Sequence, residues 1–259
     1  MYAVATVKYI NKKFYLPDKQ LETIINFPSS TGYEGKTSLD PLYLWILGDT
    51  FCMDDPIVYS KIRTVIGTVV LVVNPLPPLG IAELMGLETR EVLPFLTSLQ
   101  SLLILDEDPT QPVKPFHKSF PDFITDPSRC VDMRFHISPE TLHLELIKNC
   151  LRVMNGRLEQ NLLSLPEYAL NSEVKDLEAR VNDHIGITLQ YTCQSWYHHL
   201  PKTKGDVSDI VSHIHVFLEE KFLAWLEVVS VVGAARGAVG ALEQLILWLQ
   251  EVCFGLSPA

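Results

Sequence analysis

The sequence predicts a mostly α-helical protein whose one β element is a short hairpin. Three observations carry this expectation. Apolar residues recur at helical spacing, as Leu39, Leu42, Tyr43 and Ile46 do on one face. Turn and cap signals punctuate the chain, among them a proline-rich turn at 75–78 and a Ser138-Pro139 helix start. Strand-like runs at 102–106 and 112–117 flank an acidic Asp-Pro turn.

Taken in order, residues 1–11 and 19–26 read as two short helices, followed by a loop. Ser38 is expected to cap a helix running to about residue 49. The next helix, 57–73, is ended by the proline-rich turn. Helices at 79–86 and 89–102 lead into the strand at 102–106, the Asp106-Glu107-Asp108-Pro109 turn and the strand at 112–117. Three helices and then a hairpin are the order of a winged-helix domain, with the Asp-Pro turn as its wing. A short helix at 120–125 and a loop with Cys130 follow. Ser138 then caps a helix with Pro139 at its first position, and Asn155-Gly156 is expected to stop it near residue 154. Residues 157–172 read as irregular. Helices follow at 173–182, 184–199, 206–220, 221–233 and 236–253. No repeat of fixed period is present.

The chain has 259 residues, enough for one large or two ordinary domains. Its 47% hydrophobic content implies extensive burial or an apolar surface for a partner. A net charge of −10 argues against nucleic acid and against an anionic membrane as partners, because both need clustered Lys and Arg. Five cysteines, Cys52, Cys130, Cys150, Cys193 and Cys253, are widely spaced with no C-x-x-C pair. They read as reduced, mostly buried thiols of a cytoplasmic protein. The apolar runs at 66–73 and 222–235 do not match the roughly 20 uncharged residues of a bilayer crossing, since the first is short and the second holds Glu227.

Several patterns look chemical and fail on inspection. Gly32-Tyr33-Glu34-Gly35-Lys36-Thr37 suggests a phosphate loop, but Ser30 stands where such a loop needs its first glycine. The third helix of the hairpin unit carries Arg90 against Glu88 and Glu91, and the wing is acidic, which disfavours DNA. His198-His199 and the pair His213 and His215 lack a third metal ligand within a turn and read as helix-face residues. Gly233-x-x-x-Gly237 reads as a break between two closely packed helices. None of these supports a catalytic site.

One residue stands apart. His117 lies in Val113-Lys114-Pro115-Phe116-His117-Lys118-Ser119-Phe120, at a strand-to-helix junction. There a ring nitrogen can cap the helix at 120–125 or touch a phosphate. A single histidine is weak evidence of a site, so the residues by themselves favour the cap.

Phe116-His117-Lys118-Ser119-Phe120-Pro121-Asp122-Phe123 resembles the histidine motif in the winged helix of STAND-type signalling NTPases. Nearly the whole chain resembles the region after the NACHT core in fungal NACHT proteins, many of which continue into WD-type propellers. Residues 2–10 look like the last helix of the NACHT domain, and 34–43 like the start of the next helical module. Residues 67–77 and 81–87 resemble the winged-helix core, and 189–196 and 222–230 the helical module after it. The resemblance implies a remnant of the NACHT-associated module at 1–56, a winged-helix domain at 57–126 and a C-terminal helical domain at 127–256. It implies a non-catalytic regulatory or oligomerisation segment of an innate-immune signalling NTPase, lacking the family's P-loop and Mg²⁺-binding strand and so read as a truncated member. The chain would hold no cofactor of its own. His117 would sense ADP or ATP bound to a NACHT domain, and the partners would be that domain, another protein or further copies of this chain. The alternatives are a standalone helical adaptor and a winged-helix DNA-binding regulator.

Overall fold

The computed structural model describes residues 39–51, 55–166 and 170–254, without the side chains of 253 and 254. Helices make up most of these residues, and their one sheet is a two-stranded antiparallel ladder, so the mostly α expectation holds. The predicted helices 1–11 and 19–26, Ser38 and the 32–37 loop lie outside the described residues.

Helix α1, Asp40–Thr50, carries Pro41 in its first turn, which the fixed φ of proline suits, and buries Leu42, Tyr43, Ile46 and Leu47. Its first-turn carboxylate, Asp40, receives two bonds from Arg129: Nε to Oδ2 at 2.9 Å and Nη2 to Oδ1 at 2.7 Å. This fork pins α1 to the segment beyond the hairpin while a negative charge sits at the helix N-terminus. Both side chains are partly solvated. Arg129→Ala should therefore lower stability by on the order of 1 kcal/mol in urea denaturation, and Arg129→Lys should recover only part of it. An Arg129→Ala midpoint equal to that of wild type would mean that solvent screens the pair completely.

Helix α2, Pro56–Leu71, is capped by Asp55, which accepts the Ile57 amide at 2.8 Å. It buries Tyr59, Ile62, Val65, Ile66 and Val69. Helix α3, Pro78–Met85, ends on Gly86 at φ +67°, the left-handed stop that glycine adopts without strain. Helix α4, Thr89–Ser98, opens with a Glu88/Glu91 capping box. It is shorter than predicted: Leu102 and Leu103 both donate to the Leu99 carbonyl, and these turns swing the chain into the hairpin.

Strands β1, Leu103–Ile104, and β2, Lys114–Pro115, pair with Leu103 opposite Pro115 and Ile104 opposite Lys114. They are also shorter than predicted. Pro112 and Pro115 have no amide to extend the ladder, and Asp106 and Asp108 accept the amides of Asp108 and Thr110, which folds the intervening residues into side-chain turns. Helix α5, Ser119–Ile124, then buries Phe120, Phe123 and Ile124.

Helix α6, Pro139–Arg157, begins as predicted, with Ser138 Oγ accepting the Thr141 amide at 3.4 Å. It runs past Asn155-Gly156 instead of stopping there. Asn155 donates to the His213 carbonyl at 3.0 Å, and Met154 and Leu158 are fully buried, so packing overrides a weak local stop signal. Beyond a turn region, α7, Leu177–Arg180, passes through a π-helical turn, Val181–Ile185, into α8, Gly186–Ser195. Short 3-10 turns cover Trp196–His198 and Leu200–Lys202. Helix α9, Ser208–Val216, continues through a second π turn, Phe217–Lys221, into α10, Phe222–Val231. Gly233, at φ +73°, breaks the chain before α11, Ala235–Phe254, and a Cβ on Gly237 would lie 3.7 Å from the Tyr197 hydroxyl. The glycine pair thus sits at a break between helices, as predicted.

Helix α6 packs against α2 and α3 and against α8 and α9. One continuous apolar cluster runs from Leu42 to Trp248. Its aromatic centre is Trp225, whose Nε1 donates to the Cys193 carbonyl at 2.9 Å amid Trp196, Phe217 and Phe222. Among the described residues no helix is long and apolar enough to cross a membrane.

Candidate functional site

His117 sits where β2 hands over to α5, and its backbone and ring both serve the start of that helix. Its carbonyl accepts the Phe120 amide at 3.1 Å, and its Nδ1 accepts the Ser119 amide at 3.2 Å. Ser119 Oγ lies 2.6 Å from the same nitrogen and 2.8 Å from the Tyr43 hydroxyl of α1. An amide can only donate, so Nδ1 holds a lone pair and the neutral ring carries its proton on Nε2. Burial pushes the Tyr43 hydroxyl above its usual pKa, with the Ser119 bond pulling the other way, so Tyr43 remains a donor at neutral pH.

The floor under this chain is aromatic. Tyr43 meets Phe120 edge-on at 5.3 Å and Phe123 at 5.2 Å, and these contacts hold α5 against α1. Beside it, Leu39, Tyr43, Ser101, Leu102, Phe116, His117 and Phe120 enclose a cavity of about 10 Å³. Ser101 Oγ is buried there without a protein partner among the described residues. The space suits one water molecule at most and no larger ligand. What the arrangement can do chemically is limited: Ser119 Oγ is spent on the ring and on Tyr43. His117 is partly exposed, and its Nε2–H has no protein partner among the described residues. The ring can therefore cap α5 through one nitrogen and keep the other as a donor without a protein partner among the described residues.

The other histidines divide. His198 is exposed and lies against Tyr197, with ring centroids 4.1 Å apart. His199, predicted on a helix face, is instead fully buried and bonded at both nitrogens, to His143 and to Tyr191. His215 pairs with Glu219 at 3.2 Å on the surface. The His143 contact spans 56 residues of sequence, and no local pattern announces it. Among the described residues no three His, Cys, Asp or Glu side chains are grouped to hold a metal ion. Cys130, Cys150 and Cys193 are buried free thiols, as expected of them, with the Cys130 thiol pushed up to about 12 by burial. Cys52 and the Cys253 side chain lie outside the described residues.

No protein-family model, no curated protein and no solved structure matches this chain.

Proposed function

We propose that this protein is a non-catalytic regulatory and oligomerisation segment of a NACHT-type signalling NTPase, acting in the cytoplasm. In this reading α2, α3, α4 and the β1–β2 hairpin are the winged helix, flanked by helical modules before residue 57 and after residue 126. The observation that carries the reading is the division of the His117 imidazole. Nδ1 is committed to Ser119, while Nε2–H, which has no protein partner among the described residues, is a donor suited to a phosphate oxygen on a neighbouring domain. One such bond, made in one conformation only, gives a nucleotide the differential affinity that a switch needs. DNA recognition is not part of the proposal. Arg90 is paired with Glu88, Glu91 with Lys61, and the hairpin turn is acidic.

The test joins this segment to a NACHT domain and measures ADP dissociation. A hydrogen bond to a charged group is worth about 1.5–3 kcal/mol, so His117→Ala should release ADP roughly ten- to a hundredfold faster. His117→Asn retains a short acceptor for the Ser119 amide but not Nε2. It should keep the melting temperature closer to wild type while losing ADP as His117→Ala does. An unaltered ADP off-rate in both variants would leave His117 as a helix cap and overturn the reading.

A standalone adaptor is the second reading, favoured by apolar side chains left open on the C-terminal helices. Leu223 on α10 is 71% exposed, and Val239 and Ile246 on α11 are 63% and 54% exposed. Capture of a NACHT-bearing chain by this chain, lost in an Ile246→Glu variant that folds normally, would favour the first reading over the adaptor and place that partner on this surface.

A further inference from the structure

Away from His117, three buried side chains form a continuous polar chain through the core. His143 Nδ1 of α6 lies 2.9 Å from His199 Nδ1, in the turns after α8. His199 Nε2 lies 3.0 Å from the Tyr191 hydroxyl of α8, and that hydroxyl accepts the Val73 amide, just past α2, at 3.4 Å. His199 is 0% exposed, His143 4% and Tyr191 5%.

The protons in this chain can be placed by elimination. Two neutral imidazoles facing Nδ1 to Nδ1 need one proton between them. If His143 donated it, His199 would carry its own proton on Nε2 and donate to Tyr191. The Tyr191 hydroxyl hydrogen would then be buried with no acceptor among the described residues. The satisfied order is Val73 N–H to Tyr191, Tyr191 O–H to His199 Nε2, and His199 Nδ1–H to His143 Nδ1. His199 therefore holds the less common Nδ1–H tautomer, and His143 the Nε2–H tautomer.

We propose that His143, His199 and Tyr191 form an acid-sensitive latch that binds α6, α8 and the end of α2 while both imidazoles are neutral. One added proton reverses the chain. A protonated His143 must donate through Nδ1, which turns His199 around and leaves the Tyr191 hydroxyl hydrogen without an acceptor. A second proton sets two N–H groups against each other and parts the rings.

The charged surroundings do not rescue the protonated forms. Lys202, on the 3-10 turn beside both rings, opposes a positive charge on either, and His198 would add to this when charged. Glu140, in the first turn of α6, favours the charged His143 but is already paired with Lys204 at 3.2 Å. Besides His199, the Cys150 thiol and the Val73 amide act on the Tyr191 hydroxyl, and neither carries a positive charge. Burial accordingly pulls His143 down to about 4 and His199 down to about 3. Both folded values lie below the ordinary 6.5, so the unfolded chain takes up protons first as pH falls. The stability from the neutral pair is complete above about pH 6.5 and is lost progressively as pH falls towards 4.

Two measurements on the whole chain test the latch. Long-range ¹H–¹⁵N spectra at pH 7 should show His199 protonated on Nδ1 and His143 on Nε2, with neither titrating above pH 5. Urea denaturation should show the folding equilibrium constant falling between pH 7 and pH 5 by about twentyfold per latch histidine. His143→Asn offers the His199 Nδ1–H an oxygen that does not titrate, and it should remove one such factor. Either ring titrating near 6.5 in the folded protein would overturn the latch, as would Nε2–H on His199. So would an equal acid loss in wild type and a folded His143→Asn. If that variant does not fold, the tautomers and titrations of the wild-type rings decide.

Discussion

Trp225→Ala should remove about 3–5 kcal/mol of folding stability, a large part of the 5–15 kcal/mol typical of a folded domain. Trp225 is 1% exposed and lies edge-on to Trp196 at 6.3 Å and to Phe217 at 5.7 Å, with Phe222 at 5.8 Å. Truncation to a methyl leaves a void lined by three rigid rings, which cannot collapse onto one another without leaving their rotamers. It also strips the Cys193 carbonyl of its indole donor. Trp225→Phe keeps most of the packing and loses only the hydrogen bond and the second ring, so it should fall midway. Equilibrium urea unfolding measures both. A loss under about 1 kcal/mol for Trp225→Ala would show that this aromatic centre is not tightly packed.

Gly67→Leu is the second severe change, for the opposite reason. A Cβ on Gly67 would come within 2.2 Å of Leu142 Cδ2 and 3.3 Å of Ile137 Cγ2, so α2 and α6 approach at this point with no room for a side chain. Alanine gains about 1 kcal/mol of helix propensity over glycine, which partly offsets the clash. Leucine gains no more and brings three further carbons, and it should cost about 3 kcal/mol by overpacking. Leu142→Ala in the Gly67→Ala background should restore the space. The double-mutant cycle should then show a favourable coupling, and strict additivity would mean that the two helices do not meet there.

The parts of this fold written in local chemistry were legible. Asp-Pro in the hairpin turn, Ser138 with Pro139, and the Gly233 break each act within a few residues and stand where expected. Local signals failed where distant packing outweighed them, as at Asn155-Gly156, where a bond to the His213 carbonyl and buried Met154 carry the helix onward. The position of His117 at a strand-to-helix junction was legible as well. Its tautomer was not, because that depends on the direction of the Ser119 amide and on Tyr43, 76 residues from Ser119. His199 reads in sequence like any surface histidine; only α6, laid across the turn after α8, makes it interior.

Helix α6 touches the hairpin unit through α2 and α3 and the C-terminal helices through α8 and α9. A wall shared by two rooms cannot move for one of them only. Torque on the hairpin end would pass along this 19-residue rod to α8 and α9. Heat should find no weak seam either, and a calorimetric scan would trace one peak where two loosely tethered beads would give two.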